Sequence, residues 1–238
     1  MVYFLTSSPC LPDSPSLNPA NGFVDELRKA LPRPCRALFV ASDPDNPEHT
    51  YRFFNDMPGS FAEIGIPFTR ADVLIRENQD QCGELIANAD VIFLCGGHVP
   101  TQNRFFQDIA LRERLAGWDG VIVGVSAGSM NAADVVYVQP EEPGEAVDPN
   151  FQRFLPGLGL TLHMILPHYQ REKDGWLDGM RLYEDITYPD SVGRRFYAMV
   201  DGTYLLGRDG REELRGEAYL VADGALTQIG GENDITLL

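Results

Sequence analysis

The sequence has few cysteines and no close pair of them. The four are Cys10, Cys35, Cys82 and Cys95, and none of them forms a Cys-x-x-Cys motif. A disulfide framework or a structural zinc site needs cysteines at short, regular spacings. The spacing argues against both, and we expect buried free thiols instead.

A long apolar run is also absent. No stretch approaches the roughly 20 apolar residues that a membrane-spanning helix needs. The opening residues, MVYFLTSSPC, lack the basic segment and the long apolar segment of a signal peptide. We therefore expect a cytoplasmic protein without a membrane partner.

Positive charge is scarce. The chain has 19 Lys and Arg against 35 Asp and Glu, which gives a formal net charge of −16. Such a chain repels a phosphate backbone or an anionic lipid surface rather than neutralising it. We expect a small partner and no nucleic acid.

The first half of the chain alternates short apolar runs with amphipathic stretches. The apolar runs predict strands at Val2–Thr6, Ala37–Ser42, Asp72–Ile75, Val91–Cys95 and Val121–Val125. Apolar residues at helical spacing predict helices at Asn21–Leu31, Pro47–Gly65 with a break point at Pro58-Gly59, Gln79–Ala89 and Pro100–Trp118. The alternation predicts an α/β fold, a three-layer, doubly wound and mainly parallel sheet with helices on both faces.

The later part of the chain has a different pattern. A further strand is predicted at Leu162–Leu166 and a helix at Gly175–Ile186. Beyond them, Phe196–Leu206 and Gly216–Leu226 alternate in polarity, and three Asp-Gly pairs after residue 200 are hairpin signals. We expect antiparallel C-terminal strands that extend the same sheet, so that residues 1–238 form a single domain.

A Gly-x-Ser-x-Gly motif follows the predicted strand Val121–Val125. It lies in GVSAGSMN, residues Gly124–Asn131, with Ser126 between the two glycines. A serine between a strand and a helix in this motif is typical of a nucleophile elbow, whose tight turn presents the hydroxyl above the edge of the sheet. The free N–H groups of the helix then face the reacting group. The pattern predicts a catalytic Ser126, with the N–H of Ala127 as an oxyanion donor; a small-residue turn that only allows close packing is the alternative.

A nucleophilic serine needs a base, and the chain has only four histidines. His49 opens a predicted surface helix, His163 starts an apolar strand, and His98 follows a glycine pair. His168, in LPHY, comes at the C-terminal end of a predicted strand, the edge where sites form in open α/β sheets. We therefore expect His168 to be the general base.

Another glycine pair, Gly96-Gly97, ends the strand Val91–Cys95. It can bring a further backbone N–H to the same edge of the sheet, or it can be no more than a flexible turn. A donor at this place would complete an oxyanion hole together with the N–H of Ala127.

The combination of GVSAGSMN with LCGG upstream and LPHY downstream resembles the S51 serine peptidases. That family includes dipeptidase E and cyanophycinase and has the class I glutamine-amidotransferase-like fold. The resemblance covers most of the chain and implies a serine peptidase that acts on short peptides. It implies Ser126 as nucleophile, His168 as base, and Gly97 with Ala127 as the oxyanion hole, with no metal or cofactor.

A third member of the triad, a carboxylate, must orient the histidine. An ungapped count from Ser126 to the position of the acid in dipeptidase E arrives at Glu141, which we take as the candidate. Glu142 and Asp148 remain alternatives in the same acidic loop, Gln139–Asn150, and Asp134 and Glu145 also lie between the serine and the histidine.

Two further residues are candidates for substrate binding. His98 stands where family members often have a third glycine, so it is expected to narrow the site or to contact the substrate, unless it is a neutral loop residue. Relatives of dipeptidase E favour aspartate on the acyl side of the scissile bond, which calls for a cation. Arg171, close after His168, is the candidate, and an ordinary surface ion pair is its alternative.

Two other classes of function fit part of the pattern. An α/β-hydrolase esterase also uses Gly-x-Ser-x-Gly, but its histidine lies near the C-terminus, and no histidine follows His168 here. A non-catalytic binding protein could keep the fold without the chemistry. The intact pair of Ser126 and His168 argues for the enzyme.

Overall fold

The structure, a computed structural model, describes residues 1–238. Five strands of the first half form a parallel sheet: β1 (Val2–Thr6), β2 (Cys35–Val40), β3 (Phe68–Leu74), β4 (Val91–Leu94) and β5 (Val121–Val125). Their spatial order is β1-β5-β4-β2-β3. The mainly parallel α/β architecture predicted from the sequence is confirmed, and the predicted bounds of β1 and β5 agree with the structure.

Helices connect and flank these strands. The α-helices are α1 (Phe23–Ala30), α2 (Glu48–Glu63), α3 (Cys82–Asn88), α4 (Val99–Asp108), α5 (Leu111–Leu115), α6 (Ala127–Asn131), α7 (Tyr169–Glu172) and α8 (Tyr188–Asp190), with 3₁₀ turns at Ala20–Gly22 and Arg76–Gln81. Pro58 does not break α2. The predicted helix Pro100–Trp118 is instead two helices, because Ala110 adopts a left-handed conformation with φ 47°. No helix is both long enough and apolar enough to cross a bilayer.

The two faces of the parallel sheet bury separate apolar clusters. Successive residues of a strand point to opposite faces, so Leu38 packs into one cluster while Phe39 packs into the other. The second cluster is rich in aromatic rings, and Phe39 stacks on Phe93 with ring centroids 4.5 Å apart. Both faces of the sheet are therefore covered by packed side chains, and a site can form only at its edges.

Eleven strands follow β5. They are β6 (Val135–Tyr137), β7 (Phe154–Pro156), β8 (Met164–Leu166), β9 (Trp176–Leu177), β10 (Met180–Arg181), β11 (Arg195–Met199), β12 (Tyr204–Arg208), β13 (Arg211–Arg215), β14 (Ala218–Ala222), β15 (Ala225–Gly230) and β16 (Ile235–Leu237). Three of them, β12, β13 and β16, extend the main sheet beyond β1 by antiparallel pairing. The main sheet thus has eight strands.

The expectation that all C-terminal strands extend this one sheet is wrong. A second sheet of four strands has the order β15-β14-β11-β8, and within it β11 runs parallel to β8. The chain passes from the second sheet to the first at Asp201-Gly202, between β11 and β12. That turn connects two sheets instead of closing a hairpin.

The predicted helix Gly175–Ile186 is also wrong. Its first part is a two-stranded hairpin of β9 and β10, and its second part is a π-helix at Leu182–Thr187. The turn of the hairpin is Asp178-Gly179, with φ 52° and 81°. Asp-Gly favours the left-handed geometry of a tight hairpin turn, and this signal outweighs the helical spacing of the apolar residues around it.

Candidate active site

Ser126 occupies the turn between β5 and α6. Its backbone has φ 50° and ψ −113°, a conformation that L-residues rarely adopt and that costs about 1–3 kcal/mol. Hydrogen bonds hold it: the Ser126 N–H donates to the Thr6 carbonyl at 3.1 Å, and the Ser126 carbonyl accepts the N–H groups of Ser129 and Met130. The turn also needs Gly128, since a Cβ there would overlap the backbone carbonyl of Leu94.

His168 follows β8 at the start of α7. It also has a positive φ, 60°, and its Nε2 lies 2.9 Å from Ser126 Oγ. The pairing of Ser126 with His168 expected from the sequence is therefore present as a hydrogen bond between the two side chains.

Asp201 is the carboxylate on the other nitrogen of this histidine. Its Oδ1 lies 2.6 Å from His168 Nδ1. Asp201 thus accepts the Nδ1–H and leaves Nε2 free to accept the Ser126 hydroxyl proton. Glu141, the expected acid, makes no contact with His168; its Oε1 instead accepts the Val99 N–H at 2.9 Å. The carboxylate that pairs with His168 is therefore Asp201, and the expectation that Glu141 would do so is wrong.

The alternatives in the acidic loop also lie away from the histidine. The Asp148 carboxylate accepts the N–H of Asn150, and Glu142 is exposed. Glu145 binds His98, and Asp134 pairs with Arg112. None of the four hydrogen-bonds to His168.

The pairing of β8 with β11 explains why Asp201 reaches His168. The two strands are parallel, with Leu166 opposite Ala198, so the residues that follow each strand come out at the same edge. The acid was expected between the serine and the histidine in the chain, whereas Asp201 follows the histidine. A signal was available, because Asp201 belongs to an Asp-Gly pair that marks a turn within the predicted stretch Phe196–Leu206.

Ser7 holds both members of this pair. Its hydroxyl donates to Asp201 Oδ1 at 2.7 Å and accepts the backbone N–H of His168 at 2.8 Å. Ser7 follows β1 and is fully buried. No pattern in the sequence marks Ser7, since a serine at the end of a strand carries no motif of its own.

The pKa of Asp201 is lowered to about 2. Burial alone would raise it, but hydrogen bonds from His168 and Ser7 and the charges of His168 and Arg171 stabilise the carboxylate more strongly. Gln170 adds a hydrogen bond to Asp201 Oδ2 at 2.6 Å. Asp201 is therefore ionised at neutral pH and able to stabilise an imidazolium.

Two backbone N–H groups next to Ser126 have no acceptor in the protein. They belong to Gly97, which follows β4, and to Ala127, the first residue of α6. Gly97 packs so closely on Ser42 that a Cβ would overlap its hydroxyl. The expected oxyanion pair is thus available beside the serine to bind a developing negative charge.

The sequence matches the model of one protein family, described as "Peptidase family S51", over residues 4–214. The chain belongs to this family. The match includes Ser126, His168 and Asp201, and it supports a hydrolase that acts on peptide bonds. No curated relative matches the chain in sequence.

Two solved peptidase structures resemble nearly the whole chain. A peptidase from an acI-B1 Actinobacterium is 17% identical with a TM-score of 0.65, covering 100% of this chain and 96% of its own. A peptidase E-type protein from Listeria monocytogenes EGD-e is 14% identical with a TM-score of 0.63, covering 96% and 98%. At these identities the similarity establishes the fold and leaves the substrate open.

His98 does not take the place expected for it. Gly97 and Val99 line the cavity beside Ser126, whereas His98 does not. Its ring nitrogens bind Thr101 Oγ1 at 2.7 Å and Glu145 Oε1 at 2.9 Å. The expectation that His98 contacts the substrate is therefore wrong. His98 lies behind the wall of the cavity and holds the acidic loop through its hydrogen bond with Glu145.

One group of side chains in this S51 structure has ligand atoms close enough to hold a metal. It consists of His98, Glu142 and Glu145, whose ligand atoms lie within 4.8 Å of one another. His98 and Glu145 already bind each other, and none of the three lines either cavity at the serine. The hydrogen-bonded chain at Ser126 does not involve this group.

Two cavities meet at Ser126. The narrower, about 290 Å³, has apolar walls that include Val99, Met130, Trp176, Leu177 and Leu182. The wider, about 570 Å³, is bordered by Arg52, Arg171 and His49 and also by the carboxylates of Asp56, Glu141 and Asp201. Ser126, His168, Gly97 and Glu141 border both cavities.

Arg171 lies where the sequence placed it, close to the serine. Its side chain is more than half exposed, and its Nε is 3.9 Å from Asp201 Oδ2. That distance is long for an ion pair, so the guanidinium remains able to bind another carboxylate in the wider cavity.

Proposed function

We propose that this protein is a serine peptidase that hydrolyses short peptides, and that the whole chain acts as one domain. The observation that carries the proposal is the hydrogen-bonded chain Ser126–His168–Asp201, with separations of 2.9 and 2.6 Å. The three residues come from both sheets, so neither sheet alone holds the site. Membership of family S51 supports the peptide bond as the target.

The reaction would be acyl transfer to water. His168 Nε2 takes the proton of Ser126 as Oγ attacks the peptide carbonyl, and the oxyanion is bound by the N–H groups of Gly97 and Ala127. The imidazolium, stabilised by Asp201, then protonates the leaving amine. Water activated by the same histidine releases the acyl group and restores Ser126. Each of these steps uses only groups of this chain, water and the peptide.

A fluorophosphonate probe tests the nucleophile directly. We expect it to label the wild type at Ser126 and to leave Ser126→Ala unlabelled. Turnover of peptides by Ser126→Ala should fall about 10⁴-fold or more, because members of a triad act as a unit. The circular dichroism spectrum should stay the same, which shows that the fold is kept. Peptidase activity near the wild-type level in Ser126→Ala would show that the nucleophile is another residue.

The same experiment separates the other two classes of function. A binding protein that has lost its chemistry would not react with the probe. An esterase would react with it and cleave activated esters, but would leave dipeptides intact. We propose the peptidase because His168 is in place without any histidine near the C-terminus.

We further propose a preference for aspartate as the acyl residue. The support is that Arg171 and Arg52 border the wider cavity, which also includes Ser126. A guanidinium binds a carboxylate in a bidentate manner, so Arg171 is the candidate that recognises the aspartate side chain.

A panel of dipeptides tests this preference. Arg171→Ala should lower kcat/KM for Asp-Leu about 10-fold or more and for Ala-Leu much less. The ratio of the two substrates is the measure, because Arg171 also lies near Asp201 and its loss can slow both. Lys173→Ala, a change to an exposed neighbour, is the control and should leave the ratio unchanged. Equal turnover of Asp-Leu and Ala-Leu by the wild type would remove the aspartyl preference and leave the serine peptidase intact.

A further inference from the structure

A second histidine–carboxylate pair lies away from Ser126, at the opposite end of β8 from His168. His163 directly precedes β8, and its Nε2 is 3.1 Å from Oε2 of Glu212, a residue of β13. The hydroxyl of Tyr3, in β1, donates to the other oxygen, Glu212 Oε1, at 2.7 Å. β8 belongs to the second sheet, whereas β1 and β13 belong to the main sheet. These three side chains, the inter-sheet cluster, therefore join the two sheets.

The carboxylate of Glu212 is ionised within this cluster. Its side chain is mostly buried, which by itself would raise the pKa, but the contacts with His163, Thr161 and Tyr3 lower the pKa of Glu212 below its usual value. A carboxylate can only accept hydrogen bonds, so His163 donates through Nε2. Loss of either donor would leave a mostly buried anion short of a partner, which costs more than an ordinary hydrogen bond contributes. The cluster therefore holds the start of β8 against the main sheet.

The ring of Tyr3 reaches Glu212 across a glycine. Tyr3, Gly207 and Glu212 lie opposite one another on the neighbouring strands β1, β12 and β13. A Cβ at Gly207 would overlap the Tyr3 ring. The φ of Gly207 is not positive, so space for the ring, and not the backbone conformation, calls for glycine here. Glycine inside a strand weakens the strand and marks a close approach of another group, which in this case is the ring that carries the donor to Glu212.

β1 holds β8 at both of its ends. Near the start of β1, Tyr3 holds His163 through Glu212. Directly after the end of β1, Ser7 accepts the backbone N–H of His168 at 2.8 Å. β8 has three residues and lies at the edge of its sheet, so within that sheet it pairs with β11 alone. The contacts with the main sheet therefore supply support that a second neighbouring strand would give.

The distance between the nucleophile and the base depends on how the two sheets are placed. Ser126 follows β5 of the main sheet, and its N–H donates to the carbonyl of Thr6, the last residue of β1. His168 and Asp201 follow β8 and β11 of the second sheet. A shift of one sheet against the other would therefore separate Ser126 from His168. A misplacement of about 1 Å can lower the rate about 100-fold.

We propose that the inter-sheet cluster positions His168 for catalysis. By fixing the start of β8 on the main sheet, it keeps His168 Nε2 within hydrogen-bond distance of Ser126 Oγ. The three members of the cluster line neither cavity at the serine, so they are positioning residues that act through β8. The proposal rests on the proposed peptidase function and adds to it a device that aligns the base with the nucleophile.

Variants of His163 test the proposal from the second sheet. In His163→Ala the donor to Glu212 is lost, and kcat on the faster of Asp-Leu and Ala-Leu should fall about 10-fold or more while KM stays the same. The rate of fluorophosphonate labelling of Ser126 should fall with kcat. In His163→Gln the side-chain amide can donate to Glu212 with nearly the reach of Nε2, so most of both rates should return. A role in stability alone would not produce this pattern.

Tyr3→Phe tests the proposal from the main sheet. It keeps the ring over Gly207 and removes one hydroxyl, so it carries the test if His163→Ala does not fold. Both kcat and the labelling rate should fall, by less than in His163→Ala, because His163 still binds Glu212. The two side chains act through one carboxylate. The double variant should therefore lose less than the product of the two single losses.

Tyr204→Phe is the matched control. It also removes a tyrosine hydroxyl from the main sheet, one that donates to the backbone carbonyl of Asn21 at 2.9 Å, and its ring packs in the apolar cluster on the other face. The midpoint of urea unfolding should fall about as much as in Tyr3→Phe. The kinetic constants and the labelling rate should stay at the wild-type level, because this hydrogen bond does not join the two sheets.

Three results would overturn the proposal. The first is a wild-type kcat and labelling rate in both His163→Ala and Tyr3→Phe, which would limit the cluster to a role in stability. The second is an equal loss of kcat in Tyr204→Phe, which would mean that any weakening of the fold has this effect. The third is a higher KM with an unchanged kcat, which would indicate a role in substrate binding. Labelling needs no peptide, so slower labelling in His163→Ala with recovery in His163→Gln would support the positioning role even if the wild type cleaved neither dipeptide and the proposed function failed.

Discussion

The turn that carries Ser126 lies within one contiguous segment, whereas the side chains that position His168 come from distant parts of the chain. The nucleophile side consists of β5, Ser126 and α6, which are contiguous. The base side joins His168 to Asp201, 33 residues away, and to Ser7, 161 residues away. The first is a local turn and the second is a product of tertiary packing, so the two sides should respond differently to substitution.

The two sides also differ in what stabilises them. On the nucleophile side, close backbone packing at Gly128 and hydrogen bonds to Thr6 stabilise a strained turn. On the base side, side-chain hydrogen bonds converge on one carboxylate, that of Asp201. Steric changes should therefore damage the first side most, and changes of charge should damage the second.

The largest effect is expected when the charge on the base side is removed. Asp201→Asn keeps the shape of the side chain but cannot stabilise the imidazolium, and it favours the wrong tautomer of His168. We expect kcat to fall about 10³- to 10⁴-fold. Steady-state kinetics on Asp-Leu measure this. Glu141→Gln should lower kcat far less, because Glu141 makes no contact with His168 and binds the Val99 N–H instead. If Glu141→Gln lowered kcat more than Asp201→Asn did, Glu141 would be the triad acid.

A steric change should act on the nucleophile side. In Gly128→Ala the new methyl group meets the Leu94 carbonyl, and overpacking of this kind costs about 1–3 kcal/mol. Urea unfolding should show that loss together with slower labelling of Ser126. Gly59→Ala, in the middle of α2 with open space around it, should instead stabilise the fold by about 0.5–1 kcal/mol. Equal stability of Gly128→Ala and the wild type would mean that the turn relaxes freely.

Sequence patterns recovered the nucleophile side well because its determinants are local. The apolar run of β5 and the glycines around Ser126 lie within one short segment, and the alternation of strands and helices identified the parallel sheet.

The base side was predicted correctly only as far as His168. The acid was assigned to Glu141 because the parallel pairing of β8 with β11, which brings Asp201 to the histidine, joins segments about 30 residues apart. The two-sheet arrangement was missed for the same reason.

Acid should weaken the base side more than the nucleophile side. The pKa of Asp201 lies at about 2, below its usual 3.8. A lowered pKa in the folded state means that the carboxylate stabilises the fold above about pH 4 and loses this contribution as the pH falls towards 2. The contribution is about 2 kcal/mol. Urea unfolding of wild type and Asp201→Asn at pH 5, 4, 3 and 2 should show the difference between them shrink across this range. A constant difference would mean that Asp201 is not preferentially stabilised as an anion.

The smallest effect is expected at Ser7, which supports the base side without reacting. Ser7→Ala removes a donor to Asp201 and leaves the His168 N–H without its acceptor, at a cost of about 1–1.5 kcal/mol. Because Ser7 orients the histidine from a fully buried position, kcat should fall about 10-fold while KM stays the same. The pKa of Asp201 should also rise, so the loss of stability in acid should begin at a higher pH than in the wild type. Ser7→Thr, which keeps the hydroxyl, should restore part of kcat. A change in KM alone in Ser7→Ala would instead place Ser7 in contact with the peptide.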